Sequence, residues 1–315
     1  MSGTRPDNAA PDLDAVLDAA WPELQKARLK THLYVGIALA IFATIFALVL
    51  AASAEFGPFA GIFLLVFTII AIAAGSVHLS GLAYGALMPA IVKVSGLDHD
   101  ETGLEKHDRL KNSGFLPVQN TTKSEDAFHG QIGEVPFCKV EVDIADKRTY
   151  RDSDGDTRTK TTTYFDGYVF LLDGLAANSR TLIVQHKGRG AKWLHRRMIR
   201  SGFNEAAISD HTSPDGATLS VYAPRKDGAL TENSQAFLDR IFRIDAALPD
   251  GQRVFSALQS TTGTYLAINT GRNLYSFGGL FITKDRLRAQ IGQALDDLQS
   301  MLATLAILIP PEKQA

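Results

Sequence analysis

Residues Ala52–Gly61, ASAEFGPFAG, separate two long apolar runs, and Glu55 is the only Asp, Glu, Lys or Arg between Thr31 and Lys93. Either this stretch is the tip of a hairpin that crosses a membrane twice, or it is a loop between two helices of a soluble core. The flanking runs decide. Leu33–Ala54 and Phe56–Val77 are each 22 residues without Asp, Glu, Lys or Arg, apart from Glu55 between them. A helix needs roughly 20 apolar residues to cross a hydrocarbon core about 30 Å thick. Neither run has a polar face, which excludes a surface helix, and buried soluble helices are rarely apolar for so long. The residues predict two membrane spans, with Glu55 in water and Gly57-Pro58 turning the chain into the second helix.

The average composition conceals this segregation: 315 residues with a net charge of −2 resemble an ordinary soluble protein. Lys26, Arg28 and Lys30 precede the first span, and Lys93, Lys106, Arg109 and Lys111 follow the second, while the connecting loop has no Lys or Arg. Retention of positive residues on the inner side predicts a multi-pass protein with both termini cytoplasmic. The long polar stretch before the first span, and a second span close behind it, argue against a cleaved signal peptide. A lone cysteine, Cys138, fits a reducing compartment.

Before the spans, Leu13, Val16, Leu17, Ala20, Trp21 and Leu24 recur at three- and four-residue steps, an amphipathic helix in which Pro22 marks a kink or a second start. After them, residues 81–95 extend the second span and are expected to be interrupted at Pro89, and Glu101–Gly114 reads as a short charged helix. Strands fit residues 134–144, where Val140, Val142 and Ile144 alternate with Glu141 and Asp143, and residues 161–172; a long polar hairpin link joins them. Further strands fit TLIVQH, ATLSVYAP, VFSALQ and TYLAINT. Thr231 caps a helix burying Phe237, Ile241, Phe242 and Ile244. The closing helix carries a stripe of Leu287, Ile291, Leu295 or Ala294, Leu298, Met301 or Leu302, and Leu305, stopped by Pro310-Pro311. Its partner is the amphipathic N-terminus, a covered sheet or another subunit.

The expected fold is therefore α+β: an N-terminal amphipathic segment (1–30), a two-span hairpin (31–80), connecting helices (81–113), a cytoplasmic, mostly antiparallel sheet with covering helices (114–283), and a C-terminal helix and tail (284–315).

Order and spacing resemble a family. The spans lead into GLAYGALMPAIVKVSG, then SGFLP, SEDAFHGQIGEVPFCKVEV, YFDGYVF, LSVYAP and TYLAI, with EDAFHGQIG (Glu125–Gly133) and YFDGYVF (Tyr164–Phe170) the most specific. From Tyr34 to Ile309 this is similar to the bacterial membrane-protein family known as domain of unknown function 3137. The resemblance implies this architecture in a bacterial inner membrane, supplies no catalytic residues, and suggests a LemA-type membrane protein as partner.

Chemical motifs are sparse. DSDGD (Asp152–Asp156) begins like a calcium loop, but Thr157 and Thr163 stand where an EF-hand requires Gly and Glu, so a hairpin turn is expected. His99-Asp100 and His107-Asp108 suggest metal ligands, yet no further ligand has recognisable spacing, and a solvated charged helix is favoured. Gly188-Arg189-Gly190 lacks the remaining residues of a nucleotide fingerprint and reads as a turn. No nucleophile motif surrounds Cys138 or any Ser, so neither a catalytic residue, a cofactor nor a metal site is assigned. The one dense feature is basic: Lys187, Arg189, Lys192, Arg196, Arg197 and Arg200 lie within 14 residues without an acid, interleaved with Trp193, Leu194, Met198 and Ile199. On a helix from about Ala191 this is close to the make-up of an interfacial helix, although a solvated basic face of the domain is the more common reading of such a run. Nucleic acid ranks third, because the whole chain is slightly acidic.

These patterns favour a membrane-anchored binding or scaffold module whose partners are the lipid bilayer, another membrane protein or a second copy of the chain. The alternative is a membrane-tethered, hydrolase-like enzyme with a dispersed site, for which Asp126, His129, Glu134 and Asp166 are the shortlist.

Overall fold

The structure, a computed structural model, describes residues 13–52, 57–100, 108–175, 177, 180–200, 208–213, 218–223, 230–271 and 277–314; the side chains at 13, 49, 50, 52, 57–61, 111, 198–200, 208 and 209 fall outside the description. Most of the tip, Ser53–Phe56, is thus not described. The chain forms two compact units, Met1–Gly96 with Leu274–Leu298, and Leu97–Asn273 with Gln299–Ala315.

In the first unit, α1 (Leu13–Ala52) and α2 (Gly57–Ser95) are single helices of 40 and 39 residues. Each changes character along its length. Leu17 and Thr31 are buried on α1, whereas Leu33, Ile37, Ile41, Ile45 and Leu48 present apolar side chains outward. On α2 the outward residues are Ile62, Phe63, Leu65, Ile69, Ile70 and Val77, and burial begins at Leu79 and continues through Ala83, Leu87, Met88 and Ile91. Phe42 stacks on Phe67 with centroids 4.2 Å apart, joining the two helices within the apolar part. Both are long and apolar enough to cross a membrane.

Neither proline breaks its helix. Pro22 and Pro89 lie inside α1 and α2, so the amphipathic segment and the first apolar run are one continuous helix, and the expected interruption at Pro89 is absent. A proline removes one backbone hydrogen bond; the burial of Leu87, Met88 and Ile91 on either side of Pro89 supports continuation instead.

The first half of α6 (Lys284–Leu308) belongs to the same unit. Its stripe is now resolved: Leu287, Ile291, Ala294 and Leu298 are buried, with Met301, Leu305 and Leu308 beyond, so Ala294 and Met301 take the places shared with Leu295 and Leu302. The two terminal helices meet as expected. Arg288 bonds Asp14 at 2.6 Å, and Lys284 pairs with Asp18. Arg28 donates to the Ile282 carbonyl at 2.7 Å, and His32 lies 2.9 Å from that of Leu280.

The second unit is a nine-stranded sheet among the described residues, antiparallel at every pairing. Its strands are β1 (Asp98–Asp100), β2 (Thr121–Ile132), β3 (Val135–Arg151), β4 (Thr157–Leu172), β5 (Thr181–Gln185), β6 (Ile208–Thr212), β7 (Thr218–Tyr222), β8 (Arg253–Ser260) and β9 (Gly263–Asn269). Their order is β1-β2-β3-β4-β9-β8-β5-β7-β6. Helices α3 (Asp108–Asn112), α4 (Arg189–Arg200) and α5 (Glu232–Ala247) complete the set. The central sheet is buried on both faces. Leu182 and Val184 of β5 join a core with Ala191 and Leu194 of α4, while Thr181, at the start of β5 and on the opposite face, bonds Ser234 of α5 at 2.8 Å. Thr231 caps α5 as expected, accepting from the Ser234 amide at 3.1 Å. On α5, Phe242 is only half-buried, and Asp245 is buried in addition, accepting from the Val254 amide.

Four local readings change. His99-Asp100 belongs to β1, paired with β2, rather than to a charged helix, and residues 101–107 are not described. The short polar β6 was not expected at all. The polar link between β3 and β4 is mostly ladder, continuing to Arg151↔Thr157, with the turn confined to the DSDGD residues, where Gly155 takes φ 85°. Finally, β3 is not half-buried: Lys139 is 0% exposed and Glu141 7%.

Because the stripe of α6 is buried, Ile291→Asp with Leu298→Asp places two carboxylates where each costs several kcal/mol. The double variant of the detergent-solubilised protein should melt well below wild type, whereas Gln293→Asp on the exposed side should not. Equal melting temperatures for the double variant and wild type would show that the stripe is not buried.

Candidate functional site: the basic helix and its groove

Helix α4 begins two residues before the expected start. Gly188 takes φ 112° and turns the chain out of β5, its carbonyl accepting from the Lys192 amide at 3.1 Å. Arg189 and Gly190 are already helical, so Gly188-Arg189-Gly190 is a turn only at its first residue. Gly190 sits at a close approach: a Cβ there would lie 2.1 Å from the Tyr164 carbonyl oxygen and 2.9 Å from the Phe255 ring. Only glycine lets the helix lie this near β4. Ala191 and Leu194 are then buried in the core, and Trp193 with Tyr164 packs against its edge.

The basic side chains divide. Lys187, Arg189, Lys192 and Arg196 are exposed, whereas Arg197 is half-buried, and the side chain of Arg200 is outside the description, as are those of Met198 and Ile199. The Arg197 guanidinium lies 5.4 Å from the Trp193 ring centroid. Trp193, Arg196 and Arg197 form one wall of a groove of about 680 Å³; Tyr164 and Arg148 come from the β3–β4 ladder, and Val118 and Gln119 close it. Arg148 bonds Asp146 through Nε at 2.6 Å. Arg180 donates to the Ser113 carbonyl at 2.8 Å, and burial together with the neighbouring Arg197 lowers its pKa. Sequence reasoning found the helix from its charge density but missed Arg148, Arg180 and Tyr164, which only strand register brings near it.

Beneath α4 lies a second polar group. His195 donates through Nε2 to the Gln185 carbonyl at 3.1 Å, which leaves Nδ1 to accept from the Tyr222 hydroxyl. Burial pushes the His195 imidazole below the ordinary histidine range, against the opposing effect of its bond to Gln185. Burial also pushes the Tyr222 hydroxyl up to about 12.

The enzyme shortlist falls on β2 (Asp126 and His129), the β2–β3 turn (Glu134) and β4 (Asp166). Asp126 sits at a β-bulge with φ 56° and bonds His99 at 3.1 Å. His129 pairs with Cys138, on the face opposite Phe128 and Lys139. Glu134 is in the β2–β3 turn, its amide bonded to the Lys313 carbonyl, and Asp166 pairs with Asp143, burial and that neighbour raising its pKa. Burial pushes the Cys138 thiol up to about 12, the setting of an unreactive cysteine. Lys139, which the sequence did not single out, is fully buried; its Nζ is 3.9 Å from Glu141 and 5.0 Å from the Phe128 centroid, and burial lowers its pKa despite Glu141 and Asp126. No group of three or more His, Cys, Asp or Glu suited to a metal occurs among the described residues.

No family model and no curated protein matches the chain. Among solved structures, the chain aligns with the crystal structure of the mycobacterial trehalose monomycolate transport factor A, TtfA, at 13% identity and a TM-score of 0.36, over 72% of this chain and 97% of that one.

The setting of His195 has a pH consequence. Its folded pKa lies below the unfolded value, so between the two the unfolded chain binds more protons and stability rises with pH. Its contribution is complete above about pH 6.5, the ordinary histidine value, and is lost as pH falls below it. Thermal melting across pH 5–8 should show an acid-side decline for wild type that is shallower for His195→Gln. Parallel profiles would remove His195 as the cause.

Proposed function

We propose that this chain is a membrane-anchored binding module of the bacterial inner membrane, with α1 and α2 as its hairpin and the sheet unit on the cytoplasmic side. The observation carrying this reading is the outward display of Ile37, Ile41, Ile45, Leu48, Ile62, Leu65 and Ile69, which a water-soluble helix pair would bury. Length agrees. A 40-residue helix is about 60 Å long, twice the hydrocarbon thickness. On α1 the buried residues Leu17 and Thr31 precede the outward apolar run from Leu33, and on α2 the outward residues come first, with Leu79, Ala83, Leu87, Met88 and Ile91 buried after them. Lys and Arg on the outer flanks of the apolar runs favour cytoplasmic termini. The resemblance to the domain of unknown function 3137 family agrees with this setting and is the sole support for a LemA-type partner.

Binding, rather than catalysis, is favoured because the basic residues of α4 cluster beside an aromatic groove, while Glu134 and Asp166 fall on elements other than the β2 strand of Asp126 and His129. Arg189, Lys192 and Arg196 are exposed on that helix and Lys187 just before it, with Trp193 beside them. Each Lys or Arg near an anionic leaflet contributes about 1 kcal/mol. In this reading α4 docks the sheet unit on acidic lipid and fixes its orientation.

Two measurements test it. A reporter fused after Ala315 should read cytoplasmic and one inserted at Glu55 periplasmic; a periplasmic C-terminus overturns the topology. For docking, hydrogen exchange of residues 189–200 in the full chain should be slower in nanodiscs containing phosphatidylglycerol than in phosphatidylcholine discs. The difference should collapse at high salt, and in Arg196→Glu, Arg197→Glu, Arg200→Glu. Equal exchange in the two lipids overturns the docking role.

A further inference from the structure

We infer that the groove beside α4 is a discrete binding site for a phosphate monoester attached to a ring or other apolar group. The inference does not depend on α4 touching a bilayer. It starts from an unmatched charge: Nη1 of Arg197 is buried with no hydrogen-bond partner among the described residues. Leaving a buried donor of a charged group unsatisfied is costly, and such groups normally find a partner. The guanidinium of Arg180 lies close by; Arg180 and Arg197 reach within 3.3 and 3.8 Å of the point where a Gly114 side chain would begin. Burial, and after it repulsion from Arg197, lowers the pKa of Arg180. Arg196 and Arg148 line the groove together with Arg197, and Nε of Arg148 holds Asp146.

An anion in the groove would answer the guanidinium groups that line it, those of Arg148, Arg196 and Arg197. Planar guanidinium forks match the oxygens of phosphate bidentately, and a monoester carries between −1.5 and −2 charges at neutral pH, enough to answer more than one arginine. A carboxylate carries one charge and two oxygens. The opposite character of the wall specifies what the phosphate is attached to: Trp193 and Tyr164 offer ring surfaces, and Val118, 61% exposed, offers an apolar edge. At about 680 Å³ the groove admits a group considerably larger than inorganic phosphate. Arg197, stacked on Trp193, touches both halves of such a ligand.

The ligand chemistry has two sources, a soluble phosphorylated compound or a phosphatidic acid headgroup, and the assay separates them. The chain has two tryptophans, so a Trp21→Phe background leaves Trp193 as the sole indole reporter. In full-length protein held in phosphatidylcholine discs, phenyl phosphate should change Trp193 fluorescence saturably, and inorganic phosphate should compete more weakly. Arg197→Gln should weaken phenyl phosphate binding at least tenfold with the melting temperature retained. Discs containing phosphatidic acid that abolish the phenyl phosphate response would assign the lipid source; an unchanged response would assign the soluble one. No saturable response, benzoate binding as tightly as phenyl phosphate, or equal binding by Arg197→Gln would each overturn the proposal. Because phosphatidylcholine discs carry no acidic lipid, such a failure leaves the docking of α4 on phosphatidylglycerol unaffected.

Discussion

The ladder between β3 and β4 is the constraint on which the second unit depends. It pairs Phe137↔Leu172 at one end and Arg151↔Thr157 at the other, the longest pairing in the sheet. Near the first end its residues are buried on both faces, which is why Val140 and Val142 belong to the α4-side core while Lys139 and Glu141 are also buried. Near the other end it is solvated, and polar cross-strand contacts such as Thr149–Thr159 and Arg158–Asp152 hold it together. The groove forms where the ladder passes from the first regime to the second. Tyr164 is close enough to the core to pack against it, and Arg148 is far enough out to remain largely exposed. One ladder thus supplies an aromatic surface and a cation to the same site.

In the first unit the corresponding constraint is the length of α1 and α2. Helices this long cannot bury an apolar face from end to end against so few partners, and burial falls away at a definite place. Thr31, bonded back to the Ala27 carbonyl, is the last buried residue of α1 before the outward apolar run. The polar contacts of Arg28 and His32 with the carbonyls of Ile282 and Leu280 lie at that border. Arg28 also approaches Trp21, 5.9 Å from its ring. Polar contacts to the carbonyls of Leu280 and Ile282 thus mark the place where the outward apolar run of α1 begins.

The legible parts of the sequence were those where one periodicity acted alone. The apolar runs, the α6 stripe and the Thr231 cap each follow from spacing, and packing only chose between neighbours, as with Ala294 over Leu295. Reading failed where two effects competed. Pro89 was expected to break a helix, but its local cost is small beside the burial of three large side chains nearby. Glu141 was placed outward because a strand charge is usually solvated; it is buried with Lys139, and the two compensate each other. Residues 98–100 and 208–212 are too short and polar to show a strand pattern, and only pairing with β2 and β7 makes them strands. The basic helix was legible because charge density survives any packing. Its groove was not, because Arg148, Tyr164 and Trp193 share no local pattern.

What joins helix and ladder is the missing side chain of Gly190. Its hydrogen sits against the Tyr164 carbonyl, so the helix axis approaches β4 more closely than any other residue would permit. That approach puts Trp193, one turn onward, beside Tyr164 and sets Arg197, a turn further, over the Trp193 ring. His195 on the inner side is tied to β5 and β7 through Gln185 and Tyr222, which fixes the rotation of the helix as Gly190 fixes its distance. With distance and rotation both set, Arg197 cannot swing fully into water as the exposed arginines of α4 can, and its inner nitrogen remains buried without a partner. The close packing that builds the walls of the site thus also holds the inner nitrogen of Arg197 away from water.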